Sequence, residues 1–188
     1  MVMKPVGLAA ALSVGLLTFL VRSADAAPII DETSGLVLDP PSGYSAEALP
    51  PSSGNIARYS LKRAEDADTG CQAAYMPAPQ NASLSQRQIN EMMATQEWRR
   101  IGRSILGVIY DVKEGGTFED DGITGMGFVA DIPPRDGIPP RAQQIRTLLV
   151  LRETPKGRTT VVCVGEKASF DQRRGEYDDV VRSVRPVR

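Results

Sequence analysis

The chain has 188 residues, with 22 basic and 23 acidic side chains, two cysteines and no histidine. A near-neutral balance lacks the basic excess that nucleic-acid binding requires. The missing histidine removes the base of Ser-His-Asp and Cys-His catalysis and the commonest nitrogen ligand of zinc, and two cysteines alone cannot close a structural zinc site.

At the N-terminus, Lys4 precedes an uncharged apolar run, Val6 to Val21, and then Ala24-Asp25-Ala26. A positive n-region, an apolar h-region and small residues at the cleavage positions predict a signal peptide over residues 1–26, cut between Ala26 and Ala27. The competing reading is an uncleaved anchor, but 16 apolar residues fall short of the ~20 that span a bilayer as a helix. Removing residues 1–26 leaves 162 residues, 20 basic and 22 acidic. That is the size of one domain, and no second long apolar stretch predicts membrane insertion. The expected location is periplasmic or secreted, in a bacterium.

Residues 27–34 read as a loose lead-in to a single domain over 35–188. Gly35 to Asp39 reads as a short strand stopped by Pro40-Pro41, and residues 41–54 as clustered turns. The alternation through Ile56–Lys62 predicts a half-buried strand with Tyr59 and Leu61 inward. A strand around Cys71 ends at Pro77. Ser83, with Gln86 three residues on, reads as a capping box opening a helix that carries Ile89, Met92 and Met93. The sequon Asn81-Ala82-Ser83 has no use in a bacterial protein. A second helix is expected after Thr95, with Trp98, Ile101, Ile105, Val108, Ile109 and Val112 along one face and Arg99, Arg100 and Arg103 along the other. That stripe is expected to pack on a sheet.

Gly115-Gly116 and Asp121-Gly122 read as a turn region, and Met126–Ile132 as a strand. Residues 133–140, Pro-Pro-Arg-Asp-Gly-Ile-Pro-Pro, form a stiff loop. Gln144–Arg152 and Arg158–Val164 make a hairpin across Thr154-Pro155-Lys156-Gly157, whose proline and glycine suit a tight reversal. A terminal helix carries Phe170, Tyr177, Val180, Val181 and Val184, with Arg182, Arg185 and Arg188 complementing the dipole at its C-terminal end.

Cys71 and Cys163 both lie in predicted strands. An even cysteine count in an exported chain favours a disulfide over two separate buried thiols. It would close a loop of 92 residues, worth about 4–5 kcal/mol by chain entropy. The spacing is not Cys-x-x-Cys, so a redox-active pair is not expected.

This order of elements, with Gly35-Leu36-Val37-Leu38-Asp39-Pro40-Pro41-Ser42-Gly43-Tyr44 at the start, resembles the PsbP-like family, named for an extrinsic subunit of photosystem II. At the other end a Gly157 turn leads through Val162-Cys163-Val164 to a helix with Phe170, Tyr177, Val181 and Ser183. The resemblance spans most of residues 35–186. It implies an α+β fold, an antiparallel sheet covered by helices, in an exported protein that acts as an accessory or assembly factor through protein contacts. No metal-associated residue of the photosystem subunit matches a position here, so no functional residue carries over.

Three motifs invite function. Gly125-Met126-Gly127-Phe128-Val129-Ala130 fits G-x-G-x-x-A but falls in a predicted strand with no helix behind it, so no nucleotide cofactor is expected. Glu119, Asp120 and Asp121 could offer oxygen ligands to calcium, without the alternating spacing of a dedicated calcium loop. The proline loop offers Arg135, and Ile138 exposed at its tip, to a partner. The first functional expectation is a non-enzymatic accessory or binding protein whose partner is another envelope or exported protein. The alternatives, in order, are a small-molecule or calcium-binding module and a hydrolase without histidine.

Overall fold

The computed structural model describes residues 27–188; the expected signal peptide and its last residue, Ala26, lie outside the described residues. In chain order the elements are β1 (Ile29–Ile30), β2 (Val37–Leu38), β3 (Tyr44–Ala48), β4 (Ala57–Arg63), β5 (Gly70–Pro77), α1 (Gln86–Met93), α2 (Gln96–Leu106), β6 (Asp111–Asp120), β7 (Ile123–Asp131), β8 (Ile145–Glu153), β9 (Gly157–Glu166), α3 (Arg174–Ser183) and β10 (Val184–Arg185).

The hairpin β8–β9 is the spine. The amide of Thr154 donates to the Gly157 carbonyl at 2.8 Å, closing the reversal. Alternation along β9 sends Val161 and Cys163 to one face and Thr160 and Val162 to the other. Around it forms a seven-stranded antiparallel sheet in the order β3-β4-β5-β9-β8-β7-β6. On one face α3 and a small sheet, β1-β2-β10, bury Leu36, Leu38, Tyr177, Val180, Val181 and Val184 against Leu61, Ala73, Leu148, Val150 and Val161. On the other, α1 and α2 bury Ile89 and Met93 against Met126 and Phe128. This is the expected α+β architecture, a helix-covered antiparallel sheet. Cys71 stands opposite Cys163 in the β5–β9 register, and their sulfurs are bonded.

Several expected boundaries move. The lead-in 27–34 supplies β1, pinned where Tyr59 Oη donates to Asp31 Oδ2 at 2.8 Å. The strand expected over 35–39 shrinks to β2. The turn-rich stretch 41–54 contains β3. The first helix is capped by Ser85, which forms the capping box with Gln88, rather than by Ser83 with Gln86. The second helix ends at Leu106, and Val112 belongs to β6. Gly115-Gly116 lie inside β6, so the turn there is Asp121-Gly122 alone. Phe170 precedes α3, and Val184 follows it in β10. Asn81 is buried, its amide donating to Glu153 at 2.9 Å, so the sequon is structural.

An ion cluster locks the β3–β4 edge to α3. Arg173 donates to Asp66 at 2.9 Å and to Glu176 at 3.1 Å, and Arg63 reaches Glu176 at 3.1 Å. Burial pushes Asp66 up, but the Arg173 hydrogen bond and the Arg63 amide outweigh it and hold the carboxyl below its ordinary value. At Asp131 burial is likewise outweighed by Arg146 and Lys167. A carboxyl depressed on folding contributes stability above its unfolded pKa and loses it as pH falls through the folded pKa. With no histidine to titrate, the urea midpoint is expected to stay flat from pH 7 to about pH 4.5 and to drop below that. Asp66→Asn should lower the plateau and flatten the acid slope. A midpoint that falls between pH 7 and pH 5 contradicts this assignment.

Candidate binding cleft

The helices cover only part of their sheet face. Ser85 and Thr95 cap α1 and α2 through their hydroxyls, which sets the two helices in series across β7 and β6. Amphipathic spacing turns Ile89 and Met93 of α1 onto Met126 and Phe128. Gly102 brings α2 close. A Cβ there would stand 2.9 Å from the Phe128 ring, so a larger residue would force the helix away from the sheet.

Between the helices and β8 remains a cleft of about 380 Å³. Its walls are Leu84, Met92, Met93, Trp98, Ile101 and Ile105, and its floor is Met126, Leu149 and Leu151. One end is polar. Glu153, 5% exposed, accepts from Arg158 Nε at 2.5 Å and from Asn81 Nδ2 at 2.9 Å. Thr160 borders both this cleft and an open shelf over β4, β5 and β9, where Arg58, Lys62, Gln72 and Val162 stand uncovered by either helix. The arrangement is an apolar slot with a hydrogen-bonding end, opening onto a basic, polar shelf. Methionine suits such a slot because its flexible, polarisable side chain adapts to varied apolar shapes.

The residues singled out from sequence fall elsewhere. The acidic turn and the terminal arginines meet one another. Asp120 takes Arg152 and Arg182, each at 3.2 Å, Asp121 takes Arg188 at 2.6 Å, and the Glu119 carbonyl accepts from Arg182 at 3.2 Å. Arg182 and Arg188 therefore hold the β6–β7 turn, while Arg185, in β10, takes no part. Among the described residues no group of three or more metal-ligating side chains converges. Added calcium is expected to leave the melting temperature unchanged; a rise of several degrees would restore Glu119, Asp120 and Asp121 as ligands. The G-x-G-x-x-A run lies within β7, paired with β8, and no helix follows it. In the proline loop Ile138 is half-buried rather than exposed at the tip, and Arg135 donates to the Val108 carbonyl at 2.7 Å, tying the loop to the end of α2. The expected stripe from Trp98 to Val112 divides. Trp98 and Leu106 pack inward, while Ile105, Val108 and Ile109 stay exposed.

The sequence matches no known family, and no curated protein is similar to it. The fold is that of PsbP. The solution structure of cyanobacterial PsbP (CyanoP) from Synechocystis sp. PCC 6803 superposes with a TM-score of 0.56 at 11% identity, covering 89% of this chain and 95% of that one. A protein of unknown function from Pseudomonas aeruginosa, PA94, aligns at a TM-score of 0.43 and 8% identity, over 85% of this chain and 95% of its own.

Proposed function

We propose that this chain is an exported, non-enzymatic accessory protein of the bacterial envelope, which holds an apolar segment of another protein in the cleft beneath α2. The observation that carries the reading is the methionine- and tryptophan-walled slot, open along the shelf and closed by the Glu153–Arg158–Asn81 end. An apolar anchor in the slot and a polar flank on the shelf match the anatomy of a protein interface, with its apolar core and polar rim. The bonded Cys71–Cys163 pair fits an oxidising compartment. The resemblance to the PsbP-like family supports an accessory role through protein contacts.

The size of the slot favours a second reading, a small apolar ligand, since such sites begin at about 300 Å³. Capture separates the two. The protein recovered from the periplasm, compared with Trp98→Ala and Met92→Glu, is expected to co-purify a defined protein that both variants lose. An apolar small molecule extracted from the purified protein, with no co-purifying partner, favours the second reading. Turnover of a generic ester or glycoside, abolished by Glu153→Gln, contradicts both.

A further inference from the structure

We propose that the outward side of α2 and the turn after it rest on an anionic phospholipid surface. This goes beyond the cleft reading: it uses Val108 and Ile109 past the end of α2, Ile105, which also lines the slot, and the arginines on the β6 side of α2, beside Gly115 and Phe128. Three of the five large exposed apolar side chains among the described residues fall within five positions there: Ile105 at 66%, Val108 at 71% and Ile109 at 59%. None of the α2 residues is fully buried, so the helix lies at the rim of the fold with much of its surface outward.

The arginines around this patch are not held by carboxylates. Among the described residues most arginines and lysines are held by carboxylates, as at Asp66, Asp68, Asp120, Asp131 and Glu153. Arg99, Arg100, Arg103 and Arg135 face none. Arg99, Arg103 and Arg135 donate instead to the backbone carbonyls of Ala94, Val112 and Val108. Glu97 is the single acid on α2, and in a chain of net charge −1 four uncompensated guanidinia make a local basic patch. Apolar side chains that enter the acyl boundary, with arginines beside them to meet phosphates, are the signature of a helix lying in the interface plane. Short β-branched side chains suit shallow entry, and guanidinium matches phosphate geometry in pairs of hydrogen bonds.

The test uses the exported product of the full chain, its N-terminus checked by intact mass, sedimented with vesicles of phosphatidylcholine alone or mixed equally with phosphatidylglycerol. Binding is expected to the mixed vesicles only, weakening with salt. Arg99→Gln/Arg100→Gln is expected to weaken binding roughly twenty-fivefold, from about fivefold per charge. Val108→Ser/Ile109→Ser should weaken it at least about tenfold. Arg100, Val108 and Ile109 are exposed and Arg99 is half-buried at the helix surface, so near-ultraviolet circular dichroism should stay that of the parent. Arg185→Gln, an exposed arginine outside the patch without a carboxylate partner, is the control and should bind as the parent does. Equal binding to neutral vesicles, binding that survives both α2 variants, or no binding at all would overturn the proposal. So would a photo-crosslinker at position 108 that labels a protein in the absence of any vesicle binding. None of these results bears on capture in the cleft.

Discussion

Replacing both cysteines, Cys71→Ala with Cys163→Ala, is expected to cost about 4–5 kcal/mol of unfolding free energy. The bond joins the middle strands β5 and β9, and both side chains are buried, at 1% and 0% exposure. It closes a loop across a sequence separation of 92 that contains both helices of the cleft and three strands of the sheet. Cutting it releases that loop only in the unfolded chain, which gains entropy while the folded register is still held by its ladders. Urea unfolding followed at Trp98 should show a midpoint lower by a few molar at nearly constant slope, if the slope lies near ~1–2 kcal/mol/M. The parent under reductant should show the same displacement. A shift worth less than ~1 kcal/mol would mean that the reduced chain already holds β5 and β9 together when unfolded.

The second large effect is expected at Arg152, whose side chain stands on β8 at 1% exposure and reaches under the end of α3. Its Nη2 donates to the carbonyls of Val181 at 3.0 Å and Val184 at 2.5 Å, and its Nη1 meets Asp120 at 3.2 Å. Helix C-termini leave carbonyls without intrahelical partners, and here one guanidinium serves the helix end and the β6–β7 turn together. Burial pushes its pKa down to about 10 while Asp120 pulls the other way, so it stays charged at neutral pH. Arg152→Met keeps the length and removes the donors. It leaves the Val184 carbonyl without a donor, the Val181 carbonyl with the Val184 amide alone, and Asp120 with Arg182 alone, at a cost of about 3–5 kcal/mol. Arg152→Lys should recover less than half, because one ammonium cannot span both carbonyls and the carboxylate. Thermal melts of the three proteins check this, and equal melting temperatures for the lysine variant and the parent would contradict the forked role.

What sequence could and could not reveal divides along physical lines. The hairpin β8–β9 was legible because strong alternation meets an unambiguous Pro-Gly turn, and β4 because Tyr59 and Leu61 alternate with polar partners. Of the large sheet's strands two escaped, β3 and β6, and they are its two edges. Edge strands carry charge and glycine in place of an apolar face, which protects them from pairing with other chains; Asp-Val-Lys-Glu-Gly-Gly-Thr-Phe-Glu-Asp reads as turn for that reason. The cap of α1 was read two residues early, because Ser83 with Gln86 shows the same spacing as the true box of Ser85 with Gln88. Only packing decides between them.

The cleft needed tertiary adjacency. Nothing in the order of residues says that Met92 and Trp98 stand across from Leu149 and Leu151, or that Asn81 closes on Glu153 across 72 positions. The acidic turn and the arginine row looked like two separate features, and in space they neutralise each other. One signal was available. The apolar stripe from Trp98 runs past the last turn of α2 to Val108 and Ile109, farther than one helix can bury against one sheet.

Photo-crosslinking at position 92, inside the slot, in living cells with the envelope intact is the most direct measurement. A discrete adduct with one envelope protein is expected, recovered from the periplasmic fraction and lost when Trp98→Ala is added. Adducts absent at position 92, or an unprocessed chain found in the cytosol, would contradict that expectation.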